Sequence, residues 1–296
     1  MSSLKVATAA YPLSWFEDWS EYEAKMCGWV AEAAGQGAEL LLFPEYGAME
    51  LASFAGPAVA GDRLQSSQAV SDLVDRSNAV LAALAQDFSV MIIGGSAPVD
   101  LSDKVVNRAP VFGPDGTVAF QDKQIMTRFE RDDLEICGGG PLKLFETGKT
   151  KFGILTCYDS QFPLIGRALV AAGAEVILAP SCTGALEGYW RVRLGAMARA
   201  LEGQCVSVMA SVVGERPEIY GVEVNTGMGA VFGPPDNGFP PDGIIATGTM
   251  DQPGWTYADI DLDLIRRTRA DGKVLNATHW TEQAGRDGKP EHIWVK

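Results

Sequence analysis

Two stretches share one plan: "GAELLLFPE" at residues 37–45 and "GAEVILAPS" at residues 173–181. Each opens on Gly-Ala-Glu, runs through four apolar positions and reaches a proline. An uninterrupted apolar run of that length reads as a strand buried on both faces, as in parallel sheets covered by helices. The phrase "VFGP" also recurs, starting at Val111 and again at Val231. This repetition predicts two related halves. Each would be a sheet with helices on its outer face, and the inner faces would pack together to hide their side chains. The expected fold is α/β, a four-layer αββα sandwich with two mixed sheets packed face to face.

The rest of the chain fits that plan. Short apolar runs at residues 5–10, 39–43 and 90–95 read as strands, and helical patterns at 19–35 and 65–86 lie between them. "PVFGPDGTVAF" and "LKLFETGKTKFGIL" read as hairpins turning at Pro-Asp-Gly and Thr-Gly-Lys, so antiparallel pairs join the parallel ones. Further on, helices are expected at 164–172 and 189–201, and strands at "EVILAP", 205–213, 227–232 and 244–249. One domain over residues 1–296 is expected, with a polar C-terminal arm from about Asp271.

The chain has 296 residues, 47% hydrophobic and 21% charged, enough for a full core. A formal net charge of -14 repels nucleic acid and anionic membrane, so neither is expected as a partner. The sequence opens without a basic, then apolar, leader, and no apolar run approaches a bilayer span; a cytoplasmic location is expected. Five widely spaced cysteines argue against a disulfide framework or a tetrathiolate zinc site. Only two histidines, His279 and His292, are present, which nearly excludes a metal site built on histidine. No metal and no cofactor are expected.

Against that background "KFGILTCYDSQFP", residues 151–163, raises a chemical question. Cys157 ends an apolar strand and is followed by polar residues, at a strand-to-helix turn where nucleophiles can be exposed. A phosphatase loop would need arginine six positions later, where Pro163 stands, and a redox pair would need a second nearby cysteine. With histidine confined to the C-terminal tail, the base for this thiol is expected to be a carboxylate. Glu45 is a candidate, because it directly follows a buried strand and a proline, where α/β active sites collect. Lys123, in "FQDKQIM", ends the second strand of the first hairpin, and Glu130 follows in "TRFERDD".

Glu45 in "FPE", Lys123 in "DKQ" and Cys157 in "GILTCYDSQFP" stand in the order and approximate spacing of the nitrilase, or carbon-nitrogen hydrolase, superfamily, which the chain resembles. The likeness runs from "VATAAYP" through "FER" to "RALEGQCVSVMAS" and "GMGAVFGPP". It implies the αββα sandwich and a Glu45-Lys123-Cys157 triad, with Glu130 as a second, positioning carboxylate and Glu135 as its alternative. The chemistry suits these residue types. Glu45 would take the thiol proton and later return it to the leaving amine, while Lys123 and the Tyr158 backbone N–H would face the developing oxyanion.

The segment "APSCTGALEGYWRVRLGAMARALEGQC" follows the strand that echoes the one before Glu45, so Ser181, Cys182 and Thr183 should face the same cleft. Trp190 and Arg191 are placed to reach the acyl part of a substrate, although Arg191 and Arg193 equally suit surface or subunit contacts. The run "FERDDLEICGGG" reads as a lid or a mobile loop. The expected activity is hydrolysis of linear amides or carbamoyl compounds with release of ammonia. Nitrile hydrolysis and a silent scaffold are the alternatives. A homodimer or larger assembly is expected from the same helix.

Overall fold

A computed structural model describes residues 2–295. The two echoed stretches become the central strands Leu40–Leu42 and Val176–Ser181, each with every residue buried. Leu40–Leu42 lies parallel between Ser3–Pro12 and Met91–Ile93. Val176–Ser181 lies parallel between Val206–Glu215 and Lys151–Ile154. Both predicted hairpins form, Val105–Phe112 with Val118–Asp122 and Phe145–Glu146 with Lys151–Ile154. The architecture is therefore α/β with mixed strand directions.

Alternation along the strands divides their side chains between two environments. Val6, Leu40, Ile93, Ile154, Val176 and Val208 share one buried cluster drawn from both halves. Their neighbours Ala7, Leu41 and Ile92 instead pack with Tyr22, Val30 and Val70 of the helices Trp19–Gly35 and Gln65–Asp87. In the second half, Ile177 packs with Leu169 of Pro163–Ala171, and Ala179 with Tyr189 of Leu186–Gly203. Each fully buried leucine among these contributes about 2 kcal/mol.

The strands do not fall into two separate sheets as expected. Hydrogen bonds link fifteen strands into one network, because the last residues of Ser3–Pro12 pair with Val206–Glu215 at Ala10↔Ser211, Tyr11↔Val212 and Pro12↔Val213. The rest of that edge of Ser3–Pro12 is taken by Gly254–Asp261, which pairs antiparallel from Ser3↔Asp261 to Ala10↔Gly254. The latter strand was absent from the sequence reading, although "WTYADID" alternates and buries Thr256, Ala258 and Ile260.

Among the described residues beyond Asp271 only the short helical turns Asn276–His279 and Trp280–Gln283 form, with mostly exposed residues. Gln204 pins the start of this segment, donating to the Val274 carbonyl and accepting from the Ala277 N–H. Among the described residues no helix is long and apolar enough to cross a membrane.

Candidate active site

Glu45 beyond Leu40–Leu42, Lys123 beyond Val118–Asp122, Cys157 beyond Lys151–Ile154 and Glu130 on the helix Arg128–Asp132 meet on one cleft of about 690 Å³. Phe43 continues the strand Leu40–Leu42 by donating its N–H to the Ile93 carbonyl, and Pro44 then ends the pairing and delivers Glu45. The next residue, Tyr46, adopts a left-handed φ of 55°, which turns the chain sharply into the helical segment Gly47–Ala55. Cys157 likewise comes three residues after the end of Lys151–Ile154, with φ of 50° at the start of the 3-10 turn Cys157–Gln161. For a residue with a Cβ this conformation costs about 1 kcal/mol, and the surrounding packing holds it.

Lys123 is the hub. Its Nζ donates to Glu45 Oε1 at 2.7 Å and to Glu130 Oε1 and Oε2 at 2.7 and 2.6 Å. All three side chains are buried. Glu45 also accepts from Asn107 Nδ2 at 3.0 Å and from the Cys182 backbone N–H at 3.0 Å. Glu130 accepts further from Tyr46 Oη at 2.8 Å and from the Thr127 N–H and hydroxyl, each at 2.8 Å. Glu135, the alternative second carboxylate, stands outside this cluster, largely exposed and 3.7 Å from Arg63.

Charge in this site follows burial and pairing. Burial pushes the Glu45 carboxyl above its ordinary value, against the pull of Lys123. Burial also disfavours charge on Glu130, but Lys123 and the Thr127 bonds outweigh it and hold that carboxyl below the usual range. On Lys123 burial lowers proton affinity, yet Glu45, Glu130 and Cys157 together carry it above the ordinary lysine value. The Cys157 thiol is pushed well up by burial and by Glu45, which outweigh Lys123. Both causes favour the protonated thiol. Asp159 braces the arrangement, accepting from the backbone N–H of Gln124 and Ile125 at 3.1 and 2.8 Å and so tying the Lys123 loop to the Cys157 turn. Burial lifts its carboxyl to about 7.

The predicted pocket residues divide. Cys182, Thr183 and Arg191 line the cleft, as does Tyr158. Ser181 does not: it is still in the strand, buried, with its hydroxyl donating to the Ala210 carbonyl at 2.6 Å. Trp190 is also outside. Gly188, Arg191 and Val192 share the cleft-facing side of the helix at spacings of three and four, and Trp190 falls on another side, edge-on to Tyr189. Arg193 is neither a pocket wall nor a surface group; it is buried and donates to Tyr189 Oη at 2.9 Å.

Part of "FERDDLEICGGG" forms the helix Arg128–Asp132, whose first residues border the cleft. Sequence reasoning missed Tyr46, Asn107 and Thr127. Thr127 was legible, since Thr-x-x-Glu is a capping box, and both of its bonds form, selecting Glu130 over Glu135. Asn107, an amide inside the apolar run "VVNRAPVF", was a weaker signal. Tyr46 had none. Among the described residues no group of three His, Cys, Asp or Glu side chains is arranged to hold a metal ion; the position between the two carboxylates is filled by Lys123.

With this geometry in place, comparison with known proteins is decisive for the family. The carbon-nitrogen hydrolase family model matches residues 5–270. The chain belongs to the carbon-nitrogen hydrolase family. It is similar to YhcX of Bacillus subtilis (strain 168), with 30% identity over 92% of this chain and 52% of that protein, so it spans about half the length of that relative. It is similar also to omega-amidase NIT2 of Danio rerio, 26% identical over 81% of this chain and 82% of the relative. Among solved structures, an amidase from Nesterenkonia sp. superposes with a TM-score of 0.69 at 25% identity, covering 92% of this chain and 95% of that one.

Proposed function

We propose that this carbon-nitrogen hydrolase cleaves linear amides through a thioester on Cys157, releasing ammonia. The observation that carries the reading is Lys123 Nζ within 2.7 Å of both Glu45 and Glu130, on the cleft that holds the Cys157 thiol. The amidase names of the Danio rerio and Nesterenkonia relatives support the same substrate class. Glu45 takes the thiol proton as sulfur attacks the amide carbon, and the negative charge then grows on the former carbonyl oxygen. The Tyr158 backbone N–H is the proposed direct donor to that oxygen. Lys123 acts through its charge, since its three protons already meet Glu45 and both Glu130 oxygens. Protonated Glu45 next delivers its proton to the departing ammonia and finally activates the water that frees the acid. Glu130 positions Lys123.

The test is interception. Short aliphatic amides should yield hydroxamates when hydroxylamine competes with water for the thioester, and the corresponding nitriles should react far more slowly. Nitriles converted to acids faster than the matching amides would replace this reading with the nitrilase one. Because Glu45 must be ionised to accept the thiol proton, kcat/KM should fall as pH drops through the Glu45 pKa, which burial places above the ordinary carboxylate value. Glu130, held below that range, contributes no limb there. A profile flat down to pH 4.5, the ordinary value, would remove Glu45 as the base.

The shared cluster between the halves supports a four-layer arrangement in a single domain, and the mostly exposed residues beyond Asp271 support a C-terminal arm. Assembly into a dimer is proposed on a different feature. Leu186, Trp190, Leu194 and Leu201 project at helical spacing from Leu186–Gly203 and are all exposed, an apolar stripe suited to a second copy. Sedimentation at micromolar concentration should give a dimer or larger, and a clean 31.6 kDa monomer would contradict it.

A further inference from the structure

The charges lining the cleft do not all find partners. Glu45, Lys123 and Glu130 satisfy one another at its floor. Arg128 at the rim is paired with Asp132 at 3.3 Å and is almost wholly in solvent. Arg191 and Glu223 remain: both line the cleft, and among the described residues neither side chain has a hydrogen bond or an ion pair.

They hang on the same wall, around Thr183. Arg191 Nη2 lies against Gly188, where a Cβ would come within 3.7 Å of it and 3.2 Å of Thr183 Cβ. On the other side, Thr226 donates its N–H to the Thr183 carbonyl at 2.9 Å, and the Thr183 hydroxyl donates to the Thr226 carbonyl at 2.9 Å. That clasp brings the segment carrying Glu223 to the cleft. Glu223 lines the same cleft as Cys182, whose N–H holds Glu45.

We propose that the substrate is a primary amide whose far end carries both a carboxylate and an ammonium, the headgroup of an α-amino acid, with Arg191 receiving the carboxylate and Glu223 the ammonium. The inference rests on amide hydrolysis at Cys157 and adds the class of amide. A guanidinium offers two parallel N–H donors that match a carboxylate, and a carboxylate side chain accepts from an ammonium. One unpaired cation and one unpaired anion on a single wall suit a zwitterion. Arg191 is exposed and Glu223 half-buried, so a neutral acyl chain would leave both charges to solvent, and a substrate with a single charge would leave one. The opposite end of the molecule then reaches Cys157, where water and the amide become ammonia and an acid.

The experiment uses four probes of matched length: L-glutamine, glutaramate lacking the ammonium, 4-aminobutanamide lacking the carboxylate, and butanamide lacking both. Binding to the Cys157→Ala chain, measured by calorimetry or ligand-observed NMR, separates recognition from turnover. L-glutamine should bind at least about tenfold more tightly than each of the others. Arg191→Gln in that background should weaken L-glutamine and glutaramate, and Glu223→Gln should weaken L-glutamine and 4-aminobutanamide, each by about tenfold. Butanamide binding as well as L-glutamine, or indifference to both substitutions, overturns the inference. So does a loss of dimer in Arg191→Gln with binding unchanged, which would make Arg191 a subunit contact. Ammonia release by the unmodified chain from the same probes keeps the two readings apart. Equal kcat/KM for butanamide and L-glutamine sinks the charge pair and leaves amide hydrolysis standing. Selective binding without ammonia from any probe sinks amide hydrolysis and leaves the charge pair standing.

Discussion

Replacing Cys157 with alanine should abolish turnover, by at least about 10³-fold, while the protein should keep its fold and nearly all of its stability. The sulfur is the only atom lost, it borders the cleft rather than filling the interior of a sheet, and alanine carries the same Cβ at φ of 50°. The strain of the turn is therefore unchanged, and the remaining bonds of Cys157–Gln161, such as the Ser160 hydroxyl donating to the Cys157 carbonyl at 2.6 Å, stay in place. Cys157→Ser should fail nearly as badly. A carboxylate can take a proton from a thiol, but the hydroxyl of serine is too weak an acid for Glu45. Steady-state ammonia release and thermal unfolding of both variants give the measurement. Activity of the alanine variant within tenfold of the parent would remove Cys157 from the mechanism.

Lys123→Met should have the second large effect, on stability as well as rate. The substitution preserves most of the side-chain volume but leaves Glu45 and Glu130 buried without the cation that both of them face. Breaking a buried ion pair from one side costs about 3–5 kcal/mol, and here a carboxyl would take up a proton to limit that cost. With Lys123 gone, Glu130 loses the force holding its carboxyl low, and Glu45 loses the only pull in the cluster from a positive charge. The acid limb of kcat/KM should move to higher pH, and turnover should fall at least about 10³-fold as the charge facing the oxyanion disappears. Denaturant unfolding and the pH profile are the checks. A variant with parental stability and more than a tenth of parental turnover would show that Lys123 is peripheral.

How legible all this was depended on distance along the chain. The apolar runs before Glu45 and Cys157 announce their strands because such runs, Leu40 to Phe43 and Phe152 to Leu155, leave little choice but burial on both faces. Position at a strand end then marks both residues as candidates, and Thr127-x-x-Glu130 carries a local hydrogen-bonding pattern that marks the glutamate bonded to Lys123. The hairpins were readable from their turn residues for the same local reason.

Register and side-chain direction were not readable. Whether Ser181 or Cys182 is the first residue past the strand shifts by one position what faces the cleft, and only the pairing of Val176–Ser181 with Val206–Glu215 decides it. Trp190 and Arg191 are adjacent in sequence but separated by 100° around a helix, so which of them meets the cleft depends on how Leu186–Gly203 is rotated against Ala179 and Met209. The union of the strands in one hydrogen-bonded network turns on three residue pairs, Ala10↔Ser211 to Pro12↔Val213, some 200 positions apart in sequence. Chemistry-bearing residue types and buried strands were thus determined by the sequence alone, since both depend on neighbouring residues. The meeting of Glu45, Lys123 and Glu130, and the placing of Tyr46 and Asn107 around them, was decided only by tertiary structure, because those contacts join segments that no local pattern connects.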